Sequence, residues 1–189
     1  MRARTLFPAA ALAASLLAGC GDRSLVVNVD VLSYLDPATT RVPFGPLPAA
    51  PGGLYTGEQA VVQDIAVNLF ERPTDFAKVQ SVAFTLGAQV ADSTGAGDDT
   101  LRVYLSAPET DPWTTPPVMT LPVTLTAGHT DTVHVEVAGD ARLVDLFNGT
   151  RARLTVTTAV RGPSAGDPLT GRLLLTEIRA VVIANRKGL

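Results

Sequence analysis

Apolar and polar residues alternate over most of the chain, and this period of two is the strongest constraint on its fold. Successive side chains of a strand point to opposite faces, so alternation predicts strands with one buried face. In residues 79–91, five apolar residues share one parity: Val82, Phe84, Leu86, Ala88 and Val90. We expect this set to face the core, and Thr85, which has the opposite parity, to face solvent.

Seven further segments carry the same pattern or a variant of it. They are residues 25–32, 61–70, 100–105, 121–125, 133–137, 154–156 and 172–183. The last segment is apolar on both faces over much of its length, which favours a central strand. About eight strands joined by turn-rich segments predict an all-β fold, an antiparallel β-sandwich of immunoglobulin-like or jelly-roll type. The length of residues 25–189 suits one such domain.

One segment, residues 139–149, breaks the alternation and predicts a short crossover helix near 140–148. Asp140 is placed to accept hydrogen bonds from the first amide groups of this helix. Gly149 is placed to end it in a left-handed conformation.

Two loops rich in proline interrupt the strands. Residues 37–57 are predicted as a Pro/Gly-rich loop that cannot form a central strand, because proline removes ladder donors. Residues 107–117 contain Trp113, the only tryptophan of the chain. Trp113 is our candidate ligand-binding residue, since tryptophan is enriched at binding hot spots. The alternative is that Trp113 belongs to a lid over one end of the sandwich.

The first twenty residues combine a basic start, Arg2 and Arg4, with a short apolar run that ends in small residues. These are the parts of a secretory signal peptide, and the run is too short to span a membrane. The sequence Leu17-Ala18-Gly19-Cys20 resembles the lipobox of bacterial lipoprotein precursors at every position. The resemblance implies removal of residues 1–19, lipidation of the Cys20 thiol and acylation of the new amino terminus. The alternative is an ordinary signal peptide that happens to contain a cysteine.

Cys20 is the only cysteine of the chain, so it has no disulfide partner, and the resemblance makes it an attachment point for lipid. Two or more acyl chains anchor a protein stably. Residues 20–24 then form a short tether, because four residues extend about 14 Å at most. We therefore expect the first strand to lie close to the membrane.

The residue after the lipidated cysteine bears on location. In enterobacterial lipoproteins an Asp at this position favours retention in the inner membrane, whereas here Gly21 follows Cys20. The resemblance therefore implies the outer membrane, in an organism that has one.

Charge excludes some partners. Removal of the two leader arginines leaves 13 of the 15 basic residues against 18 acidic ones, a net charge of −5. A mildly acidic chain has no basic footprint for nucleic acid. We predict that lipid on Cys20 is its connection to the membrane.

Two segments hold residues of the kinds that bind metals. His129, Asp131 and His134 are of the residue types that bind zinc. However, the alternation predicts that His134 faces solvent, and no further protein ligand is evident that would complete a site. Residues 92–99 contain acids and glycines without the order of an EF-hand. We favour turn and hairpin residues in both segments, and we expect no metal and no cofactor.

Nothing in the sequence identifies a reaction. No serine lies in a Gly-x-Ser-x-Gly elbow, and no phosphate-binding or dinucleotide-binding loop is present. The leading hypothesis is a non-enzymatic envelope lipoprotein that serves as an interaction or structural module for other envelope proteins. A second is a carbohydrate- or peptidoglycan-binding module that uses Trp113 and the loop at residues 37–57. A third is a hydrolase of an unfamiliar kind.

Overall fold

The computed structural model describes residues 24–68, 76–149 and 151–186. Within these ranges the chain forms two β-sheets, one helix and two short 3₁₀ turns, Leu32–Tyr34 and Pro112–Thr114. The helix is α1 (Ala141–Phe147). The strands are β1 (Ser24–Asp30), β2 (Arg41–Leu47), β3 (Gln59–Asn68), β4 (Phe76–Thr94), β5 (Ala96–Ser106), β6 (Met119–Thr126), β7 (Thr130–Ala138), β8 (Arg151–Arg161) and β9 (Leu169–Arg186).

The strands form an antiparallel sandwich of two sheets. Sheet A has the order β1-β9-β4-β7, with β2 also paired to β9, and sheet B has the order β3-β8-β5-β6. Among the strands of the described ranges, most consecutive ones cross from one sheet to the other, and only β5 and β6 are both consecutive and paired. This arrangement is a jelly roll, in which β1 and β2 share one edge position. The predicted all-β sandwich is confirmed, and of its two predicted types the jelly roll is the one formed.

The core lies between the two sheets, where the inward sides of the strands meet. The five residues predicted for the inner face of β4 are all at most 1% exposed. Opposite them, the inner faces of β5 and β8 in sheet B contribute fully buried residues such as Leu101 and Leu154, and beside them in sheet A β9 contributes Ile178. The period of two therefore gave the correct register for these strands.

Strand β9 is central, as its apolar character on both faces predicts. It pairs with β4 along one side, from Leu169–Arg186 against Phe76–Thr94. Its other side pairs first with β2 and then with β1, which covers residues 179–185 of β9. The predicted strand at residues 61–70 is β3, whose last two predicted residues lie outside the described part of the chain.

The loop predicted at residues 37–57 is wrong in part, because it contains the strand β2. This strand pairs only with β9, so it lies at an edge, where proline is tolerated. Pro43 and Pro46 both lie within it, and the register with β9 shifts between Phe44 and Leu47. The rule that excludes proline from central strands held, but it does not exclude an edge strand.

The predicted crossover helix is α1, which connects β7 of sheet A to β8 of sheet B. The side chain of Asp140 accepts a hydrogen bond of 2.8 Å from the Arg142 N–H, as expected of an N-cap. Leu143 and Phe147 are buried and pack into the hydrophobic core. Gly149 is not left-handed, contrary to the expectation. Instead, Asn148 ends the helix through its N–H and side-chain amide, both of which donate to Val144.

Thr85 is buried, with 1% of its surface exposed, so the prediction that it faces solvent is wrong. Its parity is correct, because it points away from Phe84 and the core. In register beside it lie Glu136 of β7 and Arg179 of β9, whose long side chains flank the shorter threonine. A central strand can therefore be buried on its outer face by its neighbours.

Candidate functional site

Cys20 and the whole of residues 1–23 lie outside the described part of the chain. The first described residue, Ser24, begins β1 and pairs with Asn185 near the end of β9. We call this end of the sandwich the β1 end. Strand β1 belongs to sheet A over its full length, so it is part of the sandwich.

Trp113 lies against the outer face of sheet B. It belongs to the turn Pro112–Thr114, which begins where the Asp111 carboxylate accepts a hydrogen bond from the Trp113 N–H. The indole packs against the ring of Tyr104, with 5.7 Å between ring centroids and 49° between planes. Trp113 is 46% exposed, so one part of the ring is held by protein and another is open to a ligand.

Glu58 is the centre of the polar contacts around Tyr104. Its Oε1 accepts hydrogen bonds from the Tyr104 hydroxyl at 2.7 Å and from the Thr157 hydroxyl at 2.5 Å. Its Oε2 lies 3.3 Å from an Arg102 nitrogen. Burial alone would raise the pKa of Glu58, but these hydrogen bonds and the Arg102 charge outweigh it and lower the pKa. Glu58 is therefore held as a carboxylate.

Tyr55 extends this group of residues. Burial would lower the pKa of Arg102, but interaction with the Tyr55 side chain and the charge of Glu58 raise it. Tyr55 itself is 55% exposed. Burial and the hydrogen bond to Glu58 raise the pKa of Tyr104 to about 12, so its hydroxyl stays protonated and donates. We call Tyr55, Glu58, Arg102, Tyr104 and Trp113 the aromatic face.

A shallow polar pocket lies next to Tyr55, at the end of sheet B away from the β1 end. It has a volume of about 320 Å³, and its lining includes Gly52, Gly53, Asp98 and Arg161. Arg161 donates from Nε to the Gly52 carbonyl at 3.0 Å and forms a β-bridge with Tyr55. Asp98 and Tyr104 lie six residues apart on β5, so their Cα atoms are about 20 Å apart.

The aromatic face combines flat apolar surfaces with fixed polar groups. Its exposed rings provide flat apolar surfaces, while Glu58 and Arg102 provide an acceptor and donors fixed in place. Such a combination suits a polar ligand with flat or ring-shaped parts.

The sequence predicted Trp113 and the segment that holds Tyr55, but it did not predict Glu58, Arg102 or Tyr104. The one feature of the sequence that pointed to Arg102 and Tyr104 was their alternation with the inward residues of segment 100–105, which predicts that both face outward.

The two segments weighed as metal sites lie next to each other, since the Asp92 N–H donates to the His129 carbonyl at 2.9 Å, but they form no metal-binding group in the described residues. His134 faces solvent, as predicted, and its Nδ1 lies 3.2 Å from Oε2 of Glu177. His129 lies in the turn before β7, where its N–H donates to Thr126. Residues 92–99 are mostly strand and not a turn, because β4 runs to Thr94, β5 begins at Ala96, and Gly95 alone connects them. In the described residues there is no group of three His, Cys, Asp or Glu side chains arranged to hold a metal ion.

None of the helices in the described ranges combines the length and apolar character that crossing a membrane requires.

Comparisons with known proteins give a distant likeness in fold. No family model matches the chain, and no curated protein matches it. A protein in the structure of the infectious bursal disease virus Gt strain is 14% identical, with a TM-score of 0.39. The match covers 88% of this chain and 38% of that one. The corresponding Gx strain protein is 13% identical, with a TM-score of 0.39 and coverage of 87% and 38%. Similarity of this extent says nothing about function.

Proposed function

We propose that this protein is a membrane-anchored envelope lipoprotein that acts as a non-enzymatic interaction module. Lipid on Cys20 holds it to the membrane, and the aromatic face contacts its partner, another envelope protein. The observation that carries the proposal is the exposure of Trp113 and Tyr55 on one face, at 46% and 55%. Large aromatic side chains held open in this way are typical of binding hot spots.

The aromatic face is fixed before any ligand binds. Trp113 packs on Tyr104, and Tyr104 is held through its hydroxyl by Glu58. Glu58 is held in turn by Thr157 and Arg102. A prearranged surface loses less side-chain entropy on binding, which favours a recognition role over a structural one.

The short tether supports a location close to the membrane. Strand β1 begins at Ser24, so only residues 21–23 separate it from Cys20. The β1 end of the sandwich then faces the lipid headgroups, and the outer face of sheet B is inclined to the membrane plane. The residue Gly21 after Cys20 favours the outer membrane, in an organism that has one.

Site-specific crosslinking in the native envelope tests this proposal. A photoreactive amino acid is placed at Trp113 and, as a matched control, at Thr132, an exposed residue on the outer face of sheet A. We expect discrete crosslinked products from position 113 and none of the same mass from position 132. Identical products from both positions, or none from position 113, would contradict a role for the aromatic face.

Carbohydrate binding is the second candidate, with a cell-wall glycan as ligand. It is favoured by the exposed Trp113 ring, which packs on Tyr104 of β5, together with the polar pocket lined by Asp98, which lies about 20 Å from Tyr104 along β5. Sugar rings stack on aromatic side chains, and their hydroxyls need fixed donors and acceptors such as Arg102 and Glu58.

A glycan panel with purified protein tests the second candidate. If a glycan binds, Trp113→Ala should weaken its affinity about thirtyfold, since truncation of a hot-spot residue costs about 2 kcal/mol or more. Val26→Ala is the matched control, because Val26 is 55% exposed on β1 in the other sheet. Binding unaffected by Trp113→Ala would exclude the aromatic face as the glycan site.

A further inference from the structure

Strand β1 begins with exposed apolar side chains. Leu25 is 41% exposed and Val26 is 55% exposed. Because successive side chains of a strand point to opposite faces, the two residues present apolar surface on both sides of sheet A. Strand β1 is also an edge, since it pairs only with β9 among the described strands. Its beginning is therefore an open apolar corner of the sandwich.

Val26 is part of a larger apolar surface on the outer face of sheet A. In register, Val26 lies beside Ile183 of β9. The next outward row runs from Val181 of β9 through Ala83 of β4 to Ala138 of β7. Ala83, Val181 and Ile183 are half-buried and Ala138 is exposed, so all of them keep some surface open. We call Val26, Ala83, Ala138, Val181 and Ile183 the apolar patch.

Charged residues border the apolar patch on the side away from the β1 end. The following outward row holds Asp30, Arg179 and Glu136, all exposed, around the buried Thr85. Outward rows are two residues apart, a distance of about 7 Å along a strand. The outer face of sheet A thus changes from apolar to charged within one row. An apolar area bordered by polar residues is typical of an interaction surface.

The position of Cys20 indicates what covers the apolar patch. Val26 lies six positions after Cys20, and six fully extended residues reach about 20 Å. Lipid on Cys20 would therefore hold the bilayer within reach of the patch. The row nearest the tether, formed by Ser24, Asn185 and the exposed Lys78, holds a cation and no acid. A lysine beside an apolar surface can keep its ammonium among lipid headgroups while its methylene groups cover apolar surface.

We propose that the apolar patch and Leu25 rest on the lipid bilayer, with Lys78 at the headgroups. The inference rests on the proposed lipid anchor and adds an orientation to it. The sandwich is then tilted onto the outer face of sheet A at the β1 end. The aromatic face, on the outer side of sheet B, is turned away from the membrane and stays open to a partner protein.

Tryptophan quenching by phospholipids brominated in their acyl chains tests this orientation. Trp113 is the only tryptophan, so Trp113→Phe removes the background, and Val26→Trp or Thr132→Trp then adds a single reporter. Both reporter positions are exposed and point outward on edge strands of sheet A, so Thr132 is the matched control. The vesicles contain phosphatidylcholine with a minor fraction of phosphatidylglycerol.

Two ways of attachment separate this test from a test of the lipid anchor. The chain of residues 20–189 is used with its native lipid and, in parallel, as the unmodified chain coupled through the Cys20 thiol to a maleimide lipid. Cys20 is the only cysteine, so the coupling is specific. Quenching with the maleimide lipid, in a protein whose native thiol proves unmodified, would support the apolar patch as a membrane surface and contradict the proposed anchor.

We expect the reporter in Val26→Trp to be quenched at least about fivefold more than that in Thr132→Trp, because a docked apolar surface enters about 5–10 Å into the acyl boundary. Trp113 of the wild type should be quenched as little as the control. Asn28 is exposed beside Val181 of the patch, so a substitution there spares the fold. Asn28→Glu in the Val26→Trp chain should reduce quenching to the control level, since a carboxylate is costly in the acyl region.

Three outcomes would overturn the proposal. The first is equal quenching of the two reporters in both attached forms. The second is quenching in Val26→Trp that survives Asn28→Glu. The third is a reporter in Val26→Trp that escapes quenching and shifts its emission to shorter wavelength as protein density on the vesicles rises, which would mean that a second copy covers the patch.

Discussion

His134 on β7 and Glu177 on β9 reach each other across the strand that lies between them. The Nδ1 of His134 is 3.2 Å from Oε2 of Glu177, and both residues pair in register with Gly87 of β4. A Cβ at Gly87 would lie 2.9 Å from the Thr176 hydroxyl and 3.0 Å from the Glu177 Cβ. The missing side chain of Gly87 is therefore what leaves room for this contact.

Gly87→Ala should destabilise the fold by about 1–3 kcal/mol, because the added methyl group overpacks the surface between β4 and β9. The midpoint of urea unfolding measures this loss. His134→Ala, which removes only a half-exposed contact to Glu177, should change stability by less than about 1 kcal/mol. A Gly87→Ala variant as stable as the wild type would show that the outer face of β4 has room to spare.

Phe84→Asp and Thr85→Asp should both be destabilising, since both residues are 1% exposed. The first places an unpaired carboxylate in the core and should cost several kcal/mol or prevent folding. The second leaves a buried polar group poorly satisfied and should cost about 1–3 kcal/mol. Thr132→Asp, on the exposed outer face of β7, is the silent control. Urea unfolding that left Thr85→Asp unchanged would contradict its burial.

Asp99 should make the stability of the fold fall as pH rises, which is the opposite of the usual effect of a carboxyl group. It is 0% exposed, and its Oδ1 accepts hydrogen bonds from the Thr158 hydroxyl at 2.6 Å and from the Ala159 N–H at 3.2 Å. Burial raises the pKa of Asp99 above its usual 3.8, although these hydrogen bonds and that of Thr100 oppose the rise. Its other oxygen, Oδ2, has no hydrogen-bond partner among the described residues.

Because the folded state holds this proton more tightly, the contribution of Asp99 to stability is complete below the unfolded pKa. It is lost as pH rises through the folded pKa. The wild type should therefore lose stability relative to Asp99→Asn between about pH 4 and pH 7, as measured by urea unfolding across that range. Glu58, whose lowered pKa acts in the opposite direction, is common to both proteins and cancels. A stability difference that stays constant or reverses with pH would refute the assignment.

The first two strands are required by sheet A. Strand β1 covers residues 179–185 of β9, and β2 covers part of the rest. A fragment of residues 58–189 should aggregate or unfold, because it exposes the edge of a central strand. Size-exclusion chromatography and circular dichroism check this expectation against the chain of residues 20–189. A stable, monodisperse fragment would instead make residues 37–57 a spacer between lipid and domain.

Alternation predicted what depends on one strand alone and missed what depends on its neighbours. The inner parity of β4 followed from its own residues, whereas the burial of Thr85 depends on Glu136 and Arg179 beside it. Strand β2 was not predicted because its prolines are typical of loops, although an edge strand also tolerates them.

The aromatic face shows the same limit. Trp113 stands out in the sequence as the single tryptophan, and its exposure agrees with a binding role. Glu58, which immediately precedes β3, and Thr157 of β8 meet only because β3 and β8 are neighbours in sheet B, at a sequence separation of 99. No local pattern reveals such a contact.

The central claim of this account is the lipid anchor on Cys20, and mass spectrometry of the amino-terminal peptide tests it most directly. The protein is purified from native membranes after growth with labelled palmitate. We expect the mature chain to begin at Cys20, to carry the added mass of the acyl chains and to contain the label. Cys20→Ser should remove both the label and the membrane association. A wild-type chain with an unmodified Cys20 thiol, or one cleaved at another residue, would contradict the account.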